Sequence, residues 1–187
     1  MRHAAFIIAP LVLLAVVTGC KDKTPVREPD APQLPDSAAT DSTIYGRCGE
    51  STAMHTVEII TNDGDTVTCS INAGDTVYVP DVVRGGLFAG DRLAVTAYMT
   101  GDGGMKATRV INLTTLLGKW ASLDRTFTIE EGGIVTGADN EPHPYTAWRI
   151  LNGRLLLSAD TFDIYSLGAD SLWLENTEGI YEYRRMK

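Results

Sequence analysis

Apolar and polar residues alternate along much of the second half of this chain, and this alternation restricts the fold more than any other feature. In residues 125–130, Phe127 and Ile129 are separated by a threonine. Leu172 and Leu174 share one face of a later segment. A period of two places successive side chains on opposite faces of a strand, as in an antiparallel sheet that is buried on one side. The pattern therefore predicts an all-β fold.

Turn signals at short intervals divide this half of the chain into short strands. Asn152-Gly153 is a strong signal for a two-residue type I′ hairpin turn, and Gly168-Ala169-Asp170 is a further turn sequence. The predicted strands cover residues 119–122, 125–130, 133–137, 145–150, 154–158, 161–167, 171–175 and 179–185. Short strands joined by tight turns predict an antiparallel meander over residues 114–187.

Gly118-Lys119-Trp120 opens this meander and resembles the Gly-x-Trp motif of the lipocalins. The order of the later strand motifs is similar to that of the lipocalin-like domains of Bacteroidota outer-membrane lipoproteins. In lipocalins this tryptophan closes the floor of the barrel and stacks on an arginine near the last strand. The resemblance implies a lipocalin-like barrel in which Trp120 packs against Arg184 or Arg185 through a cation–π contact.

The short strands imply a shallow barrel, and the sequence leaves the content of its interior open. The bulky side chains that are expected to fill it are Trp120, Phe127, Trp148, Phe162 and Tyr181. An eight-stranded barrel is either filled by its own side chains or holds one small ligand. A packed interior and a bound small hydrophobic molecule are therefore the two alternatives.

Residues 44–113 also have the pattern of strands and turns, without a helical period. The turn sequence Asn62-Asp63-Gly64-Asp65 recurs ten residues later as Asn72-Ala73-Gly74-Asp75, and residues 82–87 are interpreted as a loop. About five strands over this length predict an OB-like barrel. OB domains often bind nucleic acid, but a formal net charge of −8 and the lack of a basic stripe argue against that partner.

The first twenty residues predict export and lipidation. Met1-Arg2-His3 is basic, and the apolar run from Ala4 to Val17 is too short to cross a bilayer core. Val17-Thr18-Gly19-Cys20 then resembles a bacterial lipobox. The resemblance implies that residues 1–19 are a signal peptide and that Cys20 carries fatty acyl chains such as palmitate, since stable anchoring takes more than one chain. The expected location is the outer membrane, on its periplasmic face or at the cell surface.

Residues 20–43 are expected to form a tether between the lipidated cysteine and the folded part. The segment is rich in proline, aspartate, alanine, serine and threonine, and it contains few large apolar residues. Such a composition buries too little apolar surface to offset its chain entropy. We interpret it as a disordered, proline-stiffened spacer.

The sequence contains no catalytic motif of the common hydrolase, nucleotide-binding or metalloprotease types. His55 and His143 are far apart in sequence, and no Cys/His cluster has the spacing of metal ligands. Cys48 and Cys69 either form a disulfide or remain buried thiols. The carboxylate pairs, which fall at turns or strand edges where solvated acids are the usual case, are Asp139/Glu141 and Asp160/Asp163. We therefore expect no enzyme activity, cofactor or metal.

The expected function is that of a membrane-anchored, non-catalytic binding module for a small hydrophobic ligand or an envelope component. The alternative is a structural or assembly accessory that binds a partner protein at the cell surface. An empty apolar cavity in the second barrel would favour a carrier, because small-molecule sites are concave and mostly apolar. A filled core would favour an interaction module.

Overall fold

The structure, a computed structural model, describes residues 40–71, 82–138 and 142–187. Within these ranges the regular structure is almost entirely β, and the strands form two sheets. The prediction of an all-β fold is confirmed. The first sheet closes on itself, and the second is a nearly closed, barrel-like meander.

The first sheet closes on itself through one parallel contact. Its strands are β1 (Thr43–Cys48), β2 (Thr56–Thr61), β3 (Thr66–Ser70), β4 (Val83–Arg84), β5 (Arg92–Met99) and β6 (Met105–Asn112). The first three form an antiparallel meander, β1 also pairs with β5, and β5 pairs with β6. The parallel pairing of Ser70 with Lys106 joins β3 to β6 and completes the ring.

One turn of this barrel is found where the sequence predicted it, and one predicted loop is partly a strand. Gly64, with φ of 91°, ends the tight turn between β2 and β3, where the Thr61 N–H donates to the Asp65 carbonyl at 2.8 Å. The repeat of this turn sequence at residues 72–75 lies outside the described residues. The interpretation of residues 82–87 as a loop is wrong at Val83–Arg84, because β4 pairs in parallel with β6.

The second sheet is an antiparallel meander that comes close to full closure. Its strands are β7 (Gly118–Ala121), β8 (Thr126–Ile129), β9 (Val135–Gly137), β10 (Trp148–Leu151), β11 (Arg154–Leu157), β12 (Asp160–Leu167), β13 (Ser171–Asn176) and β14 (Gly179–Arg185). Sequential strands are neighbours, except that β14 returns to β7 and the sheet opens between β9 and β10. A single bridge between Ile134 and Ala147 spans that opening.

A one-turn helix, α1 (Leu113–Leu116), connects the two barrels, and the sequence pattern did not predict it. Its cap is Asn112, whose side-chain oxygen accepts from the Thr115 N–H at 3.0 Å. Asn112 is fully buried, and its amide nitrogen donates to the Asp91 carboxylate at 2.6 Å and to the Gly86 carbonyl at 3.1 Å. These bonds satisfy a polar group that would otherwise be costly to bury.

The two barrels share part of one hydrophobic core. The core of the first barrel is a separate cluster that includes Val57, Ile59 and Leu93. The second barrel's core, however, also contains residues that precede it in the chain, namely Ala94, Ile111, Leu113 and Leu116. The predicted domain boundary after residue 113 therefore falls inside α1 and inside this shared core.

Polar contacts add to the junction. The Arg84 side chain donates from Nε to the Ile164 carbonyl at 2.7 Å. The Tyr45 hydroxyl donates to the Ile150 carbonyl at 2.7 Å. Burial, followed by the negative charge of Asp41, raises the pKa of Tyr45 to about 12.

Candidate functional site

Trp120 lies at the floor of the second barrel, at the end that meets α1. It is fully buried, and its indole N–H donates to the Leu116 carbonyl at 2.9 Å. The guanidinium carbon of Arg185 lies 4.2 Å from the centroid of the Trp120 ring. This distance is that of a cation–π contact. Arg184, the other candidate for this role, is exposed on the outer side of the barrel.

Arg185 also binds the backbone around the floor. Its guanidinium donates to the carbonyls of Thr115, Leu117 and Ala169. A Cβ at Gly118 would collide with this guanidinium, and the φ of Gly118 is 130°, which L side chains rarely adopt. The glycine of the Gly-x-Trp sequence is therefore required by the arginine that it contacts. Burial lowers the pKa of Arg185.

Aromatic rings fill the interior of this barrel. Phe127 makes edge contacts with Tyr145 at 5.5 Å and with Tyr183 at 5.0 Å between ring centroids. Phe162 makes a similar contact with Tyr181 at 5.9 Å. Such edge-to-face pairs stabilise beyond the area that they bury. The fillers named from the sequence are placed here, with Trp120, Phe127, Trp148 and Phe162 buried and Tyr181 half-buried.

A small polar recess of about 250 Å³ remains at the opposite end of the barrel. Its lining includes Arg125, Tyr145, Asp160 and Tyr181. The Arg125 guanidinium lies 4.4 Å from the centroid of the Tyr145 ring, and burial raises the pKa of Tyr145. A recess with charged groups at its mouth and rings beneath them does not match an apolar calyx.

The outer face of the second barrel carries an exposed aromatic pair. The rings of Tyr165 and Trp173 stack at 6.1 Å with an angle of 11° between their planes. Tyr165 is 53% exposed, and Trp173 is half-buried. We call this pair the aromatic platform. Beside it runs a surface groove of about 1110 Å³, whose lining includes Trp173, Glu182 and Arg184.

A β-bulge interrupts the alternation of β12 next to this pair. Ile164 lies opposite Leu174, but the next aligned pair is Ser166 with Trp173, so Tyr165 is an extra residue on β12. Tyr165 lies on the outer face that alternation from the buried Ile164 gives it, and the bulge brings Leu167 to the buried face in place of residue 166. The sequence reasoning missed this feature, although a signal exists: the buried residues of β12 change from a spacing of two to a spacing of three before Leu167.

The two described cysteines are free and buried. Cys48 lies opposite Ile59 and Cys69 lies opposite Val57, so β2 separates the strands that carry them. Two strand spacings of about 4.8 Å exceed the Cα separation of about 7 Å that a disulfide tolerates. Burial raises the pKa of the Cys69 thiol, which lowers the fraction of thiolate available for nucleophilic attack.

The carboxylate pairs do not form a catalytic arrangement in the described part of the chain. Asp160 and Asp163 are three residues apart on β12, which places them on opposite faces of a strand. Asp163 accepts from Arg154 at 3.3 Å, and both of these side chains are about half exposed. Asp139 and Glu141 lie outside the described residues.

The remaining residues that the sequence analysis considered for a functional site do not come together in the structure. His55 and His143 are exposed. Among the residues that the structure describes, no group of three or more His, Cys, Asp or Glu side chains is placed to hold a metal ion. Cys20 lies outside the described residues. A search of the described helices found none with the length and apolar character needed to span a membrane.

Comparisons of the chain with protein-family models, with curated proteins and with solved structures gave no match. The functional interpretation therefore rests on the residues and geometry of the chain itself. Two features of the second barrel stand out: an interior filled by rings, and an aromatic platform on the outside.

Proposed function

We propose that this chain is an exported, membrane-anchored lipoprotein that binds an envelope component through the outside of a packed β scaffold. The observation that carries the proposal is the interior of the second barrel. Trp120, Phe127 and Phe162 occupy the space where a lipocalin would hold a ligand. Protein interiors of this kind are close-packed, so a hydrophobic guest would have to displace these rings. Carriage of a small hydrophobe is the weaker alternative.

The proposed anchor is Cys20, and it follows from the lipobox-like sequence that ends there. Two or three acyl chains would hold the protein at the membrane without a spanning segment. No catalytic role is assigned to the folded part. The charged surface of the scaffold and the aromatic platform face outward.

Intact-protein mass spectrometry after expression in a bacterium with a lipoprotein pathway tests the anchor. The expected product begins at Cys20 and carries acyl chains. Cys20→Ala should leave the chain unprocessed and without acyl mass, whereas the matched control Cys48→Ala should be processed normally. A wild-type product without acyl groups would refute the anchor.

Native mass spectrometry of the same purified protein tests the packed scaffold. The spectrum should contain the lipidated polypeptide and no further co-purifying hydrophobe. Added fatty acids should leave the unfolding temperature unchanged. A stoichiometric bound lipid, or a clear rise in unfolding temperature with fatty acid, would make the chain a carrier instead.

A further inference from the structure

We infer that the aromatic platform and its adjoining groove form a binding surface for a neutral oligosaccharide. The inference rests on the proposed function, since it names the chemical class of the envelope component and the place where it binds. Tyr165 and Trp173 supply two nearly parallel, stacked rings that are both partly exposed to solvent. The C–H face of a sugar ring packs against an exposed aromatic face, because the negative face of the ring attracts the polarised C–H groups.

The side chains around the platform have hydrogen-bonding capacity that the protein does not use. In the part of the chain that the structure describes, the Trp173 indole N–H and the Tyr165 hydroxyl have no hydrogen-bond partner, and the same holds for Glu182 and Arg184. Glu182 lies directly opposite Trp173, and Arg184 lies opposite Ser171. Donors and acceptors therefore surround the rings, as the hydroxyl groups at the rim of a sugar require.

The bulge on β12 lies at the platform. Without the extra residue, regular alternation would continue from Ile164 and bury the side chain of residue 166 in place of Leu167. Tyr165 is on the outer face in either register, and it is stacked on Trp173 and half exposed. A ligand that covered the two rings would remove further apolar area from water, which favours binding at this place.

The same surface fits other partners less well. Strand β13, which carries Trp173, is paired with β12 on one side and with β14 on the other, so an extended peptide cannot add to it through backbone hydrogen bonds. The net charge of −8 disfavours nucleic acid and other polyanions. Glu182 and Arg184 place both signs of charge beside the groove, which interrupts the apolar surface that a lipid tail would need. A groove of about 1110 Å³ has room for more than one sugar ring.

Binding of the full-length lipidated protein in detergent to a panel of defined neutral and acidic oligosaccharides tests the inference. At least one neutral glycan should bind, and Trp173→Ala should weaken it at least tenfold while Trp173→Phe keeps part of the affinity. Tyr98→Ala, at an exposed aromatic on the first barrel, should bind as the wild type does. Circular dichroism and unfolding curves show that each variant remains folded.

Tryptophan emission gives a second, local readout. Trp120 and Trp148 are buried, so a glycan that covers Trp173 should shift the emission to shorter wavelength, and this shift should vanish in Trp173→Phe. Absence of binding to every neutral glycan, binding that persists in Trp173→Ala, or a preference for acidic glycans, peptides or lipids in the same assay would overturn the inference. These outcomes leave the acylation and native-mass results untouched, so failure of the sugar site is distinguishable from failure of the proposed function.

Discussion

The two barrels of this protein have interiors of different chemistry. Among the described residues, the core of the first barrel consists of aliphatic side chains, small alanines and two cysteines, without an aromatic ring. The core of the second contains two tryptophans, two phenylalanines and two tyrosines. The width of a barrel grows with its number of strands, so the closed ring of β1, β2, β3, β6 and β5 leaves less interior to fill than the nearly closed sheet of eight strands. The wider sheet accommodates the larger core residues.

The largest expected effect is at Trp120, the deepest ring of the wider barrel. Trp120→Ala removes a fully buried side chain and its bond to the Leu116 carbonyl. We expect the free energy of unfolding to fall by about 3–5 kcal/mol, measured by urea denaturation. Trp173→Ala, on the outside of the same barrel, should cost less than about 1 kcal/mol. Equal losses at the two positions would show that the rings inside the barrel are not its core.

The sequence predicted strands β8 and β13 of the second barrel closely, because both carry a clean period of two. Phe127 and Ile129, and likewise Leu172 and Leu174, are buried as the alternation requires. The helix α1 was missed. Its residues, Leu-Thr-Thr-Leu, have no helical period, and its only turn depends on the cap at Asn112, which tertiary contacts hold in place.

The next effect concerns the boundary between the barrels. Leu116→Ala should lower the free energy of unfolding by about 2–5 kcal/mol, because Leu116 is fully buried in the shared core. Both barrels should lose stability together. Tryptophan fluorescence reports on the second barrel, which holds all three tryptophans, and alkylation of Cys48 and Cys69 reports on the first.

Peptide mass spectrometry after pulsed alkylation distinguishes these two cysteines from Cys20. The fluorescence and alkylation midpoints should coincide in urea, for the wild type and for Leu116→Ala alike. Coinciding transitions are the mark of one cooperative unit. Two separate midpoints would mean that the barrels fold independently and that the shared core contributes little. Lys119→Ala, at an exposed neighbouring position, serves as the control.

The third expected effect is an intermediate loss of stability, which should occur at Arg185 and not at the adjacent Arg184. Arg185→Gln removes the cation–π contact with Trp120 and leaves carbonyl groups at the floor without their donor. We expect a loss of about 1–3 kcal/mol in urea denaturation. Arg184→Gln should stay within about 0.5 kcal/mol, since its side chain is exposed. Arg185→Lys should recover only part of the loss, because an ammonium lacks the planar fork. Equal effects at the two positions would contradict the assigned floor.

The sequence analysis left open which of the two arginines contacts Trp120, although the alternation of β14 distinguishes them. Tyr181 and Tyr183 share the inner face, so the next residue on that face is Arg185. Arg184 falls on the outer face with Glu182. The outward side chains of Tyr165 and Trp173 follow from the same alternation, since Ile164, Leu172 and Leu174 are buried. The register between β12 and β13 could not be obtained in this way, because the bulge, which places Ser166 opposite Trp173, is a departure from alternation.

The smallest expected effect is a pH dependence at the junction of the barrels. Burial raises the pKa of Tyr45 to about 12, above its usual value of 10.0. The neutral phenol therefore contributes stability that is fully present below pH 10 and is lost as the pH rises toward 12. Tyr45→Phe should be less stable than wild type by about 0.5–1.5 kcal/mol at pH 8, for loss of the bond to the Ile150 carbonyl.

That difference should shrink between pH 10 and 11.5, because only the wild type has a phenol to ionise at this position. Urea denaturation curves of both proteins across this range measure the difference directly, and groups common to both cancel. Tyr98→Phe, at an exposed ring, should match the wild type at pH 8. A difference between wild type and Tyr45→Phe that stays constant to pH 11.5 would mean that water reaches the Tyr45 hydroxyl. The polar contacts between the two barrels would then be solvated. The two barrels, which differ in width, would share only the apolar core residues around α1.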